Sequence, residues 1–266
     1  MGLDINAIRA RLSALQGQNK RREFQFKPVK GRNNVRIVPS AHNKNTPFTE
    51  LYFHYLGNKT YLSPLSYGRR DPIAEFADKL RATGNREDWI QAKTFTPKMR
   101  TVVPVIVRGQ EAEGVKLWSI GKTVYTEILS IINDPDYGDI TDPTTGRDLV
   151  VEYTEAKDSD TGFAKSVSRA KPNQSPITGD AELLEKILTD QPRISDMYEE
   201  PTFEALKSAL DAYLNPDDLP TAAPRVSAVD KDDEDVAPAA VAAPAKKSAS
   251  KAAEVTKSFE ELFNEK

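Results

Sequence analysis

Apolar and polar residues alternate in several short segments of this chain, which is the pattern of half-buried β-strands. A hairpin is predicted over residues 50–63, with its turn at Gly57–Asn58. Further strands are predicted at residues 24–26, 35–37, 93–108, 115–120, 149–153 and 163–169. Pro104 interrupts one of them and lacks an N–H donor, so it predicts an edge strand or a bulge at that point.

Other segments repeat their apolar residues at spacings of three and four, which is typical of amphipathic helices. One predicted helix begins at Pro72. Further helices are predicted over residues 86–92, 122–132, 180–190 and 201–214. Together the two patterns predict an α+β fold that is mainly β. We expect an OB-fold, a Greek-key barrel core, with an inserted helical subdomain at about residues 64–92 and helices at its C-terminal end.

Some side chains are assigned to the interior by the same patterns. In the helix that begins at Lys122, the apolar spacing predicts four inward residues: Val124, Ile128, Leu129 and Ile132. Three aromatic residues are predicted to lie in the core: Phe76, Trp89 and Tyr153.

Both ends of the chain are predicted to be flexible arms outside a folded core of residues 23–214. Residues 1–22 form a predicted N-terminal arm with an apolar helical stripe, which either docks on a partner or folds back on its own domain. Residues 215–257 form an acidic linker rich in Ala and Pro, which we expect to be disordered. At residues 258–266 an apolar face predicts a partner-binding motif, although a frayed end without function is the alternative. The motif residues are Phe259, Leu262 and Phe263.

Charge is distributed unevenly along the 266 residues. Residues 20–122 contain 20 Lys and Arg against 9 Asp and Glu, whereas residues 123–266 contain 15 against 30. The net charge of −3 therefore hides a basic half that can attract a polyanion. Aromatic residues lie among these cations. Such a mixture is typical of proteins that bind single-stranded nucleic acid, because phosphates attract cations and unpaired bases stack on rings.

The residue types also limit the chemistry. With no cysteine and two histidines, the chain contains no disulfide, no thiolate metal ligand and no thiol nucleophile. The sequence has no phosphate-binding glycine motif and no serine-nucleophile motif, so we expect no enzyme activity. No segment reaches the ~20 apolar residues of a membrane span, and we expect no signal peptide and no membrane partner.

The order of several segments resembles the single-stranded DNA-binding, or helix-destabilising, protein family of T-even-like bacteriophages. The resemblance covers about residues 24–180. It rests on Asn34-Val-Arg-Ile-Val-Pro-Ser40, Phe53-His54, Asp71-Pro72-Ile73, Lys98-x-Arg100, the segment from Gly114 to Tyr125, and Thr161-Gly-Phe163. It implies an OB-fold with a cleft for single strands, an N-terminal arm for cooperative self-association, and an acidic C-terminal region that recruits other proteins.

The resemblance also implies roles for individual residues. The implied phosphate contacts are Arg36, Lys98, Arg100 and Lys122, and the implied cleft aromatics are Phe95, Trp118, Tyr125 and Phe163. Self-association is assigned to Ile5, Ile8, Arg9, Lys20, Arg21 and Arg22. Partners implied for the acidic tail are phage replication and recombination proteins such as a polymerase, a helicase loader and a recombination mediator.

The chain departs from the family at its zinc site. His54 matches a family ligand, but Asp71-Pro72-Ile73-Ala74 occupies the positions of the thiolate ligands. Because one His and one Asp cannot replace a tetrahedral thiolate set, we predict no zinc and no other cofactor. Apolar packing of Ile73 and Phe76 is expected in its place.

These observations favour a sequence-independent single-stranded DNA-binding protein of phage replication, recombination and repair, in the cytoplasm of the infected bacterial host. It would coat and protect unpaired strands and melt hairpins. The alternative is a replication adaptor or scaffold that uses an OB-like core for protein contacts. A nuclease is the least favoured hypothesis, because the few acidic residues of the basic half are scattered.

Overall fold

The computed structural model describes residues 23–215. The predicted N-terminal arm and the C-terminal partner motif lie outside this range, as does the linker from residue 216 onward. The described residues form two compact units, which we call the core unit (residues 23–50 and 100–198) and the helical unit (residues 51–99 and 199–215).

Eight strands are found in the described range. They are β1 (Gln25–Phe26), β2 (Gly31–Ile37), β3 (Thr49–Leu56), β4 (Lys59–Leu62), β5 (Lys98–Val107), β6 (Lys116–Ile120), β7 (Arg147–Thr154) and β8 (Lys165–Gln174). In the core unit the strand order is β1-β6-β5-β2-β7-β8. The pair β1–β6 is parallel and the remaining pairs of this order are antiparallel. Strands β3 and β4 form the predicted hairpin.

Six α-helices accompany the strands within the same residues. They are α1 (Pro72–Ala82), α2 (Arg86–Phe95), α3 (Lys122–Asn133), α4 (Ala181–Thr189), α5 (Ile194–Met197) and α6 (Phe203–Leu214). Across residues 23–215, none of these helices has the length and apolar character needed to cross a bilayer.

Alternation along the strands divides the buried apolar side chains of the core unit between two clusters. Val103 lies opposite Trp118 in the β5–β6 ladder, and both are buried. From α3, Val124 and Ile128 pack into the same cluster, because their spacing of four residues keeps them on one helix face. A second cluster includes Ile106, and α4 contributes to it.

The helical unit contains its own apolar core. Asp71 begins α1, because its carboxylate accepts hydrogen bonds from the Ile73 and Ala74 N–H groups while Pro72 occupies the first turn. Ile73 and Phe76 are fully buried, and the surrounding cluster includes residues of α2 and α6. The apolar packing expected for these two side chains is therefore present.

The fold class predicted from the sequence is confirmed: the protein is α+β, its core is mainly β, and the arrangement is consistent with an OB-like fold. Three local predictions about these elements are wrong, and a fourth, at Trp89, is described with the candidate interface. Residues 93–95 continue α2 instead of beginning a strand. Leu129 is an exposed residue of α3. Strand β5 is internal, between β6 and β2, although it contains Pro104.

The position of Pro104 explains how an internal strand tolerates it. Pairing of β5 with β2 ends at Ile37 opposite Val105, and the Pro104 carbonyl then accepts the Val38 N–H at 3.1 Å. In an antiparallel strand the N and O atoms of one residue point to the same side. The missing donor of Pro104 therefore falls at the end of the β2–β5 ladder.

Candidate nucleic-acid interface

Arg36 is a fully buried residue of β2. Its Nη1 donates to Asp148 Oδ1 at 3.2 Å, and its Nη2 donates to the Asp142 carbonyl at 3.0 Å. Burial lowers the pKa of Arg36 and nearby Arg108 lowers it further, whereas Asp148 opposes both effects. Oxygen atoms of the protein accept from both Nη atoms, while Nε is buried without a partner among the described residues. Contact with a strand would therefore require this side chain to be uncovered.

Two of the predicted cleft aromatics lie in apolar cores. Trp118 is 2% exposed and packs edge-on against Phe26, with ring centroids 5.8 Å apart. In the helical unit, buried Phe95 packs edge-on against Phe76 at 5.2 Å. Neither ring presents a face to solvent, so these side chains contribute mainly to the stability of the two units.

Three predicted contacts remain at the surface of the core unit. Lys122 is exposed at the first position of α3, and Tyr125 lies one turn further along, half-buried against Phe48 at 5.2 Å. Burial raises the pKa of Tyr125, and the carboxylate of Glu50 raises it further. Phe163 is 43% exposed and lies in the turn that precedes β8.

Helix α3 and strand β8 pack against each other and form one layer of the core unit. Glu127 contributes to this packing, because its carboxylate accepts the backbone N–H of Ser168 at 3.0 Å. The helix of this layer contributes a cation and a tyrosine, and the exposed Phe163 lies in the turn just before the strand.

The last two predicted phosphate contacts lie on β5. Lys98, in the helical unit, is half-buried, and burial lowers its pKa. Arg100, in the core unit, is 2% exposed. Its Nε donates to Ser119 Oγ at 3.3 Å and its Nη2 donates to the Ser119 carbonyl at 3.2 Å. The third guanidinium nitrogen, Nη1, is buried and has no hydrogen-bond partner among the described residues.

The same side of β5 borders a cavity of about 340 Å³ in the core unit. Val102 and Pro104 line the cavity from β5 and Leu117 lines it from β6, while polar side chains such as His42 and Gln191 complete the wall. Because residues two apart on a strand point to the same side, Arg100 shares this face with Val102.

Sequence reasoning missed an exposed aromatic residue in the helical unit. Trp89, predicted to be in the core, is 49% exposed, and the ammonium of Lys93 lies 3.9 Å from its ring centroid. The two residues are four apart on α2, a spacing that brings side chains together on a helix. This pairing could have been predicted if residues 93–95 had been assigned to the helix.

At the family's zinc position, His54 and Asp71 contact each other, and only His54 Nδ1 of the pair has no partner among the described residues. His54 Nε2 lies 2.8 Å from Asp71 Oδ2, which also accepts the Ser63 hydroxyl proton. The other Asp71 oxygen caps α1. Burial raises the pKa of Asp71, but hydrogen bonds from His54 and Ser63 outweigh it and hold that pKa below its ordinary value. This pair does not fit a zinc site, and residues 23–215 contain no group of three or more potential ligands.

A family model described as gp32 DNA binding protein like matches residues 29–214, which is most of the chain and nearly all of the described part. No curated protein matches the chain.

Proposed function

Because the chain belongs to the family of gp32-like DNA-binding proteins, we propose that it is a sequence-independent single-stranded DNA-binding protein of phage replication, recombination and repair. The match over residues 29–214 is the observation that carries this proposal. The excess of cations in residues 20–122 supports it, because phosphate neutralisation supplies most of the affinity of sequence-independent binding.

The layer of α3 and β8 offers the two kinds of contact that an unpaired strand needs. Lys122 supplies a cation for phosphate, while Phe163 and the half-buried Tyr125 supply rings for bases. Every base has a π-face, so stacking of this kind tolerates any sequence. Trp89 with Lys93 offers a further ring and cation in the helical unit.

The biological role follows from mass action. A protein that binds single strands and not duplexes lowers duplex stability, so it melts hairpins and keeps exposed strands coated and protected. We place this role in the cytoplasm of an infected bacterium, without enzyme activity or a cofactor. Residues 1–22 would mediate cooperative self-association, and the acidic C-terminal tail would recruit a polymerase, a helicase loader and a recombination mediator.

Fluorescence anisotropy with labelled oligo-dT and with a duplex of matched length tests the proposal. We expect the full chain to bind oligo-dT more tightly and its affinity to fall steeply as salt rises. Phe163→Ala should weaken binding by ~1–3 kcal/mol if the ring stacks on a base. Lys122→Ala should make the slope of the logarithm of the binding constant against the logarithm of the salt concentration shallower by ~0.7.

Lys186→Ala is the matched control, because Lys186 is an exposed lysine on α4 in the same unit. Its affinity and salt slope should equal those of the wild type. If the wild-type chain shows no salt-dependent binding of oligo-dT, the proposal is wrong. If other proteins then bind this chain equally well in the absence of nucleic acid, the adaptor alternative is favoured.

A further inference from the structure

Arg100 is a buried cation without a countercharge in the described structure. Its Nε and Nη2 donate to uncharged oxygens of Ser119, and no carboxylate of residues 23–215 forms an ion pair with it. Burying a charge costs several kcal/mol unless the charge is paired and hydrogen-bonded. A buried guanidinium with a free Nη1 therefore indicates that an anion from outside the described residues completes this site.

The N-terminus of α3 lies beside this guanidinium. The first helical hydrogen bond of α3 joins the Tyr125 N–H to the Gly121 carbonyl, so the preceding N–H groups have no partner within the helix. Gly121 occupies the N-cap position, and no side chain caps these groups. The helix has 12 residues, and its dipole favours negative charge at this end.

Gly121 connects the two features. A Cβ atom at Gly121 would lie 3.5 Å from Arg100 Nη1, which is its only neighbour within 4 Å among the described atoms. Gly121 is partly exposed, and both Lys122 and Thr123 are exposed. Nη1 itself is buried, so an anion reaches it only if the backbone at Gly121 shifts, and the anion would then lie next to the first N–H groups of α3 and the Lys122 ammonium.

We propose that Arg100 and the N-terminus of α3 form a phosphate-binding site, and that a backbone phosphate of the bound single strand occupies it. This inference rests on the proposed function and identifies where the strand is fixed. The tetrahedral oxygens of a phosphate can accept from Nη1 and from helix N–H groups at once. The cavity beside Val102 lies on the same face of β5, and its apolar wall offers space for the adjoining base.

Substitutions at Gly121 test the site without removing the arginine. Its φ of −78° and ψ of 168° are allowed for any residue, and Asp and Asn are both good N-caps. Gly121→Asp would supply the missing negative charge from within the chain, whereas Gly121→Asn has the same shape and no charge. We expect the Asp variant to melt at a higher temperature than the Asn variant and to bind oligo-dT about tenfold more weakly.

Arg100→Met removes the charge itself and should lower the salt slope of oligo-dT binding by ~0.7. Lys186→Met is the control for loss of a cation elsewhere. If Arg100→Met does not fold, the comparison of the Asp and Asn variants still decides. Equal melting temperatures and equal affinities for these two variants, with a folded Arg100→Met that keeps the wild-type slope, would overturn the proposed site.

Inorganic phosphate, compared with chloride at equal ionic strength, distinguishes the two sources of the anion. We expect a small rise in the wild-type melting temperature that disappears in Gly121→Asp, together with much stronger stabilisation by oligo-dT. A phosphate effect without oligo-dT binding would overturn the strand as the source and would contradict the proposed function. Wild-type oligo-dT binding that none of these variants changes would overturn the site and leave the proposed function standing.

Discussion

Two buried arginines on adjacent strands of the core unit have opposite electrostatic environments. Arg36 on β2 pairs with Asp148, a carboxylate that also contacts Arg108 and Lys171. Arg100 on β5 has only the uncharged oxygens of Ser119. Both are almost inaccessible to solvent, at 0% and 2% exposure. The difference lies in whether the chain supplies the countercharge, and it separates an arginine that stabilises the fold from one that can bind a ligand.

Removing the countercharge of Arg36 should have the largest effect. In Asp148→Asn, three cations lose the carboxylate that they share, and Arg36 becomes as unpaired as Arg100. We expect a loss of about 3–5 kcal/mol in the free energy of unfolding, measured by urea denaturation. Glu152→Gln is the control, because its pair with Arg32 is exposed and should contribute below about 1 kcal/mol. Equal losses in the two variants would contradict the distinction.

Removing Arg36 itself should cost less than removing its partner. In Arg36→Met, Asp148 keeps Arg108 and Lys171, while the Asp142 carbonyl loses a donor. We expect a loss of about 1–3 kcal/mol, the cost of leaving a buried polar group unsatisfied. Urea denaturation measures it, and a loss larger than that of Asp148→Asn would show that Asp148 is not the centre of this network.

Arg100→Met should change stability little in a buffer without phosphate or nucleic acid. The substitution removes hydrogen bonds to Ser119, but it also removes an uncompensated buried charge. We expect the free energy of unfolding to stay within about 1 kcal/mol of the wild type. A loss as large as that of Asp148→Asn would indicate that Arg100 has a countercharge and that the two arginines do not differ.

The smallest effect concerns acid sensitivity near Arg36. Hydrogen bonds from the Thr145 and Thr144 N–H and hydroxyl groups hold the pKa of Asp142 well below its ordinary value of 3.8. A lowered pKa stabilises the folded state at pH values above 3.8, and this contribution is lost as the pH falls further. Asp142→Asn should therefore flatten the fall in unfolding free energy below that pH, as urea denaturation across an acid pH series would show. An unchanged acid slope would contradict this assignment.

Much of the fold was predictable, because hydrophobic periodicity is a local property. The hairpin turn at Gly57–Asn58, the start of α1 at Pro72 and the strand of Val103 and Val105 all follow from spacing and turn chemistry. The end of α2 was not predictable in this way, because Phe95 is held in the helical core by tertiary contacts with Phe76 and Tyr213.

The candidate site was less predictable, because residue type does not determine burial. Trp118 and Trp89 are the same residue in the same basic half, yet one is in the core and the other is exposed next to Lys93. Likewise, the sequence presents Arg36 and Arg100 as equivalent cations. Only Asp148, more than a hundred residues from Arg36, distinguishes them, and local patterns contain no information about such a pairing.

Nuclear magnetic resonance of the arginine side chains would test the role of Arg100 most directly. In ¹H–¹⁵N spectra of the full chain titrated with oligo-dT, Arg36 serves as the internal reference. We expect the guanidinium signals of Arg100, above all Nη1, to shift on binding while those of Arg36 stay in place. Binding of oligo-dT that leaves Arg100 unchanged, or that shifts both arginines alike, would contradict a phosphate site at the N-terminus of α3.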